Sequence, residues 1–412
     1  MELLTDPEIE IEKKNQGRVE FNFPLLTIRT RLLGGFFDRF GSFRISRYAS
    51  WIALVIVPIV AAIGLYLLSS SLFTLLWTPA ARDVTRELGP ATYLLLPGIN
   101  PLLPIFYGWL AIVLAIIIHE GAHGIIARNR GLKVKSSGLL FFLIIPIGAF
   151  VDVDEEQIAK AKPRDSSRIM AAGVGGNIVA AIACLIAVLI IVNGLTPIVN
   201  GVYISEVTQD MPADTAGIQP GDIFISIDNV LIDNYDILNS TLSEKNPGDI
   251  IQVTVARGDM WKTNFTTTVE LTEIENRTVM GIAIADLQTD ERLNLYKTVT
   301  PETLSIYLVP PSLYPGLVPF SDSFAPFYTH DWLLDWQAWS NFFFWVWFVN
   351  VNVAVFNALP IYPLDGGRIF DIALKSLIKG KMKENTISKI TYAVTIILVI
   401  ILLMIAIIPF IL

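Results

Sequence analysis

Five stretches of this chain are long and apolar enough to cross a bilayer as helices, and nothing else in the sequence constrains its fold as tightly. A spanning helix takes about 20 apolar residues. The first stretch runs from Trp51 to about Trp77 with no charge inside it, and the second from Pro101 into His119 and its neighbours. The third covers Ile169 to about Val192, the fourth Trp336 to about Leu359, and the fifth Ile390 to Leu412. In hydrocarbon each backbone polar group must be satisfied within its own segment, so helices are the expected form. Composition agrees: 53% of the residues are hydrophobic and 17% charged, against about 25% charged in soluble domains. The net charge of −8 gives no sign of nucleic-acid binding. The single cysteine, Cys184, can form neither an internal disulfide nor a cysteine-rich metal site, and reads as a small buried apolar residue. The acidic, polar N-terminus does not read as a signal peptide.

The segment between the third and fourth spans has a different pattern. Ile223–Ile227 alternates after the turn Pro220–Gly221–Asp222, and Ile251–Val255 alternates after Pro247–Gly248–Asp249. Tyr235 to about Ser243 reads as a short helix between these two strands. The expected fold is therefore an α-helical polytopic membrane protein with about five transmembrane helices and an inserted α/β domain. Five regions follow: a cytoplasmic tail at 1–50, the first part of the membrane domain at 51–198, the inserted domain at 199–275, an extracytoplasmic connector at 276–335, and the second membrane part at 336–412. Leu139 to Val151 is apolar but too short to span, and Pro146 and Gly148 within it favour a re-entrant hairpin or loop.

Basic residues cluster before the first span, between the second and third, and between the fourth and fifth, so these segments are expected inside. Residues 201–335 hold 6 basic and 20 acidic residues, which suits the outside. Three glycosylation-type sequons, beginning at Asn239, Asn264 and Asn276, fall in the same outer region. The expected localisation is a multi-pass integral membrane protein with a cytoplasmic N-terminus and an extracytoplasmic inserted domain.

The second span is expected to end in His119–Glu120–Gly121–Ala122–His123. Histidines at i and i+4 share one helical face and reach one metal ion, and a glutamate between them can take a proton from water activated there. The chain has three histidines and two of them are in this motif. Ionisable groups at the end of an uncharged membrane helix are costly, which favours a functional role. A catalytic zinc site needs a third protein ligand. Asp365, in Leu364–Asp365–Gly366–Gly367, is the first charge after a long neutral stretch. It is separated from the histidines by an even number of crossings, so it reaches the same membrane side, the cytoplasmic one. The chain is thus expected to bind one zinc ion.

These motifs resemble the site-2 protease family of intramembrane zinc metalloproteases. His119 to His123 is similar to the family's zinc-binding helix, and Asn357 to Gly366 to its asparagine-to-Leu-Asp-Gly segment. Pro146 to Val151 resembles the re-entrant loop, and Ala172 to Asn177 the small-residue motif of the following span, with Val174 in place of the usual proline. The resemblance runs from about Leu102 to Arg368 and leaves out the first span. It implies that His119, His123 and Asp365 ligate zinc and that Glu120 is the general base. It further implies that Asn357, Gly148, Phe150 and Asn177 position substrate. Ala216 to Ile227 looks like part of a PDZ domain, with Asp228–Asn229 where Asn-Gly is usual and Gly281–Ile282 as a candidate carboxylate-binding loop.

The implied activity is hydrolysis of peptide bonds within or near transmembrane segments, in regulated intramembrane proteolysis. The implied partners are single-pass membrane proteins already trimmed by another protease, and the lipid bilayer. A rival reading is a membrane-bound PDZ adaptor with a non-catalytic metal site, against which Glu120 argues, because a structural site needs no base. A metal transporter would need polar residues along several spans, and the first and fifth are nearly bare of them.

Overall fold

A computed structural model describes residues 19–30, 33–143, 145–275, 277–378 and 382–412. The acidic start of the chain and Asn276 of the third sequon lie outside the described residues. The chain divides into two compact units, one of residues 1–186 and 342–412 and one of residues 187–341.

Five helices have the length and apolar character to cross a membrane. They are Arg44–Trp77, Ile105–Asn129, Pro163–Asn193, Trp336–Ala358 and Glu384–Ile411. The second does not stop at the histidine motif, as expected from sequence, but continues to Asn129. The residues after His123 (Gly124, Ile125, Ile126, Ala127) are apolar and pack inward, and the helix ends where Gly131 takes a φ of +80°. Both histidines consequently sit within a regular helix, not at its frayed end.

The short apolar run opens out into a β-hairpin, β3 (Val134–Phe142) and β4 (Ile145–Val153). It is joined by two strands unforeseen from sequence, β1 (Val19–Asn22) and β2 (Leu25–Thr30), in the antiparallel order β1-β2-β3-β4. Leu25 pairs with Phe142 and Thr30 with Ser137. The tail therefore contributes half of a sheet. Both strands are short, and β2 finds its second partner, β3, more than a hundred residues away, which local periodicity does not reveal.

Close approach of the spans rests on glycine. A Cβ on Gly175 would lie 2.5 Å from that of Ala53 in the first span, and one on Gly176 2.9 Å from that of Ala122 in the second. Such small-residue contacts let membrane helices pack backbone to backbone, where no hydrophobic force drives them together. Cys184 is half-buried on the third span.

In the second unit a six-stranded sheet comprises β5 (Val202–Val207), β6 (Ile223–Ile227), β7 (Val230–Leu231), β8 (Ile250–Arg257), β9 (Thr263–Glu270) and β10 (Ile282–Asp286). The order is β9-β8-β6-β5-β10, with β7 on β6. The Tyr235–Ser243 helix forms as its pattern predicts, capped by the Asn234 side chain on the Ile237 N–H. Ile204, Phe224, Ile227, Leu238, Val253 and Val255 lie in one buried core. Asp228 and Asn229 both have positive φ (48° and 65°), the pair that a two-residue hairpin turn of type I′ requires. Asp222 is 1% exposed and is held by the Arg257 guanidinium at 2.6 and 2.7 Å. The sheet extends past residue 275, because β10 comes from the stretch read as connector. The rest of that stretch is also structured: Tyr296, Tyr307 and Phe320 are buried, and Tyr328–His330 pairs with Leu195–Pro197.

Candidate metal centre

One face of the second span presents His119 and His123, and the turn between Ala358 and the Asp365–Leu377 helix brings up Asp365. That turn is held tightly. A Cβ on Gly366 would lie 2.1 Å from the Ala358 carbonyl oxygen, and one on Gly367 2.4 Å from the Ile361 backbone. The two glycines are therefore what allows the chain to fold back on itself and start a new helix with a carboxylate in its first turn. Asp365 Oδ2 stands 3.1 Å from His119 Nε2 and 3.2 Å from His123 Nε2. All three residues are buried.

The far nitrogens of the imidazoles are occupied. His119 Nδ1 lies 2.7 Å from Asn177 Oδ1, and His123 Nδ1 2.7 Å from the Ile169 carbonyl oxygen. Both partners accept, so both Nδ1 atoms carry the proton and both Nε2 lone pairs face Asp365. The amide of Asn177 cannot be turned the other way. Its Nδ2 donates to the Ala115 carbonyl at 3.0 Å and to Asn350 Oδ1 at 2.8 Å, while Asn350 donates to the Val346 carbonyl at 2.8 Å. A hydrogen-bonded chain thus runs through three spans and ends on a ring nitrogen.

Three acceptor atoms therefore converge. Asp365 Oδ2 is buried with no hydrogen-bond partner, a costly arrangement unless a cation completes it. Neighbouring ligand atoms of a tetrahedral zinc site with bonds of about 2.0 Å stand roughly 3.3 Å apart, which the two observed separations approach. Space is kept by Gly173, whose Cβ would lie 2.5 Å from His119 Cε1 and from His123 Nε2. The residues fit a zinc ion.

A cavity of about 290 Å³ opens beside His119, His123 and Asp365. Glu120, Asn357 and Arg368 line it, with Val151 and Val153 of β4, Ile169, Met170 and Leu364. Asn357 donates to the Val353 carbonyl at 3.0 Å, and Arg368 Nε to the Pro363 carbonyl at 3.0 Å.

Of the residues expected to position substrate, Asn357 reaches the cavity, but Asn177 is fully buried and committed to His119. Gly148 and Phe150 are not among the lining residues. Side chains alternate along a strand, and Phe150 turns away to lie beneath the Arg29 guanidinium, 5.3 Å from its ring centre. Val151 and Val153 take the facing positions instead. Sequence reasoning also passed over Asn350, Gly173 and Arg368. Asn350 lies two helical turns before Asn357 on the same span, a spacing that could have signalled it.

The profile of peptidase family M50 matches residues 107–402, which hold every residue of this centre. An uncharacterized protein of Methanocaldococcus jannaschii is 24% identical over 84% of this chain and 78% of its own. A Clostridium perfringens protein with a provisional zinc-metalloprotease name is 26% identical over 69% of this chain and 92% of its own. The zinc metalloprotease RasP of Shouchella clausii is 26% identical over 47% of this chain and 48% of its own. The solved PDZ domain of an SdrC-like protein from Listeria monocytogenes matches 23% of this chain and 94% of its own, at 23% identity and a TM-score of 0.19. With the family match spanning both halves of a buried His-His-Asp cluster, the chain belongs to peptidase family M50, the site-2 protease family, and is a multi-pass membrane zinc metalloprotease.

Proposed function

We propose that this protein hydrolyses peptide bonds within or next to the transmembrane segments of single-pass membrane proteins, with His119, His123 and Asp365 as zinc ligands. The observation that carries this reading is the convergence of two imidazole lone pairs on a buried, otherwise unpartnered carboxylate oxygen, in a cavity shared with Glu120. Zinc bound there supplies Lewis acidity toward water and a carbonyl oxygen. Glu120 takes the proton of the attacking water at its carboxylate and returns it to the departing amine nitrogen. Asn357 and Arg368 offer the polar groups that hold the scissile carbonyl.

A peptide bond within a helix is hidden from attack, so the substrate has to unwind locally. The unwound segment then needs partners for its backbone. The last strand of the four-stranded sheet, β4, is an edge whose Val151 and Val153 line the cavity, so an extended segment added there would lie along it. We assign the charge-poor ends of the spans and the acidic second unit to the outside, and the zinc centre to the cytoplasmic side. The PDZ-like domain then restricts which substrates enter, with substrates trimmed beforehand by another protease.

The experiment is cleavage of candidate single-pass proteins by the purified protein and its Glu120→Gln variant. The variant keeps its zinc, by elemental analysis, and loses about 10²–10⁴-fold in rate. Unchanged turnover with zinc in place would sink the mechanism.

A further inference from the structure

The first and third spans begin on the same membrane face, and their first turns share a cluster of arginines. Arg168, 1% exposed, donates from Nε and Nη2 to Ser50 Oγ at 3.1 and 2.6 Å, and from Nη2 to the Arg47 carbonyl at 2.9 Å. Its guanidinium carbon lies 4.7 Å from the centre of the Trp51 ring, and that of Arg164 lies 5.3 Å from the same ring. Asp165 is shared: Arg168 Nη1 is 3.6 Å from its Oδ1 and Arg130 Nη1 is 3.4 Å from the same oxygen.

The balance of charge is one-sided. Arg47, Arg130 and Arg164 are the cations that reach Arg168, against the single carboxylate of Asp165. Arg47 and Arg164 are exposed, with no carboxylate or hydrogen-bond acceptor for their side chains among the described residues. Arg130 Nε is buried without a hydrogen-bond partner. Two helix N-termini, Arg44 and Pro163, add their positive dipole ends to the same place. Trp51 is 39% exposed and brings an amphipathic ring of the kind found at headgroup depth. Four guanidiniums with one counter-charge, beside an aromatic ring at the end of two spans, form a surface of net positive charge. At a bilayer interface the available anion is a phosphate ester.

We propose that Arg47, Arg164 and Trp51, backed by the buried Arg168, bind the phosphate headgroup of an anionic phospholipid. The inference rests on the membrane-spanning fold and not on the proteolysis reading. It also has a route to the metal centre. The residue after Arg168 is Ile169, whose carbonyl accepts the proton of His123 Nδ1. A lipid that fixes the start of the third span fixes that acceptor with it.

The test is native mass spectrometry of the full chain in detergent. Phosphatidylglycerol and phosphatidylcholine are offered in equal amounts, with and without inorganic phosphate, to the wild type and to the Arg47→Gln/Arg164→Gln variant. The wild type retains one phosphatidylglycerol in preference to phosphatidylcholine, by about 10-fold or more, and the double variant loses that preference while keeping its zinc. Equal retention of the two lipids by the wild type overturns the proposal, and so does an unchanged preference in the variant. Displacement of the lipid by inorganic phosphate at equal concentration would mark a free-anion site and also overturn it. If the wild type prefers phosphatidylglycerol but never cleaves a substrate, the lipid site stands and the proteolysis reading falls.

Discussion

The two histidines differ in what orients them, and this has measurable consequences. His123 leans on a backbone carbonyl, which no substitution removes, whereas His119 depends on the side chain of Asn177. Replacing Asn177 by Ala frees His119 to take either tautomer and leaves Asn350 Oδ1 without its donor. Loss of such a support lowers metal affinity about 10- to 100-fold. Asn177→Ala should therefore need correspondingly more free zinc for half-occupancy, by competition with a chelator of known affinity. Gly173→Ala acts by shape alone. Its methyl group would sit 2.5 Å from both imidazoles, with no ligand altered. Zinc content at or near zero is expected for that variant, while helix content by circular dichroism stays that of the wild type. Full zinc occupancy would mean that the third span can shift away from the second. The histidines and Asp365 could be picked out as candidate ligands because their spacing and their charge in apolar surroundings are local properties. Gly173 could not, since a glycine among four small residues acquires a role only when a neighbouring helix is in place.

At the scale of single elements, the sheet of the second unit is pinned at one turn. Asp222 is buried and takes two hydrogen bonds from Arg257, which also lies 4.2 Å from the Phe265 ring centre. Breaking a buried ion pair by removing one partner costs about 3–5 kcal/mol, because the remaining charge is left without compensation. Arg257→Ala should consequently raise hydrogen exchange across Ile223–Ile227 and Ile250–Arg257 in the full-length protein. The exchange of the Ile105–Asn129 helix and the zinc content should not change. Unaltered protection of both strands would show that the pair is dispensable. Two of the six strands of this sheet, Ile223–Ile227 and Ile250–Arg257, were legible from alternation and turn residues, but Ile282–Asp286 was not. An edge strand of five residues after an irregular stretch has too little pattern to stand out, and only its pairing with Val202–Val207 defines it. The Val19–Thr30 strands escaped for the same reason.

For the molecule as a whole, the open quantity is orientation. The charge asymmetry predicts that Lys133 faces the cytoplasm and Glu244 the outside. With Cys184 first replaced by Ser, a membrane-impermeant thiol reagent should label Glu244→Cys in intact cells. It should reach Lys133→Cys only after the membrane is opened. The reverse labelling would invert the topology and with it the assignment of the zinc centre to the inner side. If the inserted α/β domain filters substrates, deleting residues 201–286 should leave zinc in place. The deletion should also let a transmembrane segment with a long ectodomain be cut as readily as one with a short ectodomain. A preserved preference for the short form would show that selection happens elsewhere.

By itself the sequence determined the number of spans, the presence of an inserted α/β domain and the three side chains, His119, His123 and Asp365, that the fold brings together. Apolar length, alternation and the i, i+4 spacing of histidines on one helix are written in neighbouring residues, and the bilayer leaves few other ways to satisfy a backbone. The tertiary structure decided which groups serve those side chains. It set Asn177 and Asn350 behind His119, the Ile169 carbonyl behind His123, and Val151 and Val153, not Gly148 and Phe150, against the cavity. Each of these roles depends on a contact between segments far apart in the chain, where strand register and helix approach select one side chain over its neighbour. Such a selection leaves no local trace, because a shift of one residue along β4 would exchange every facing side chain without altering the pattern that made it a strand.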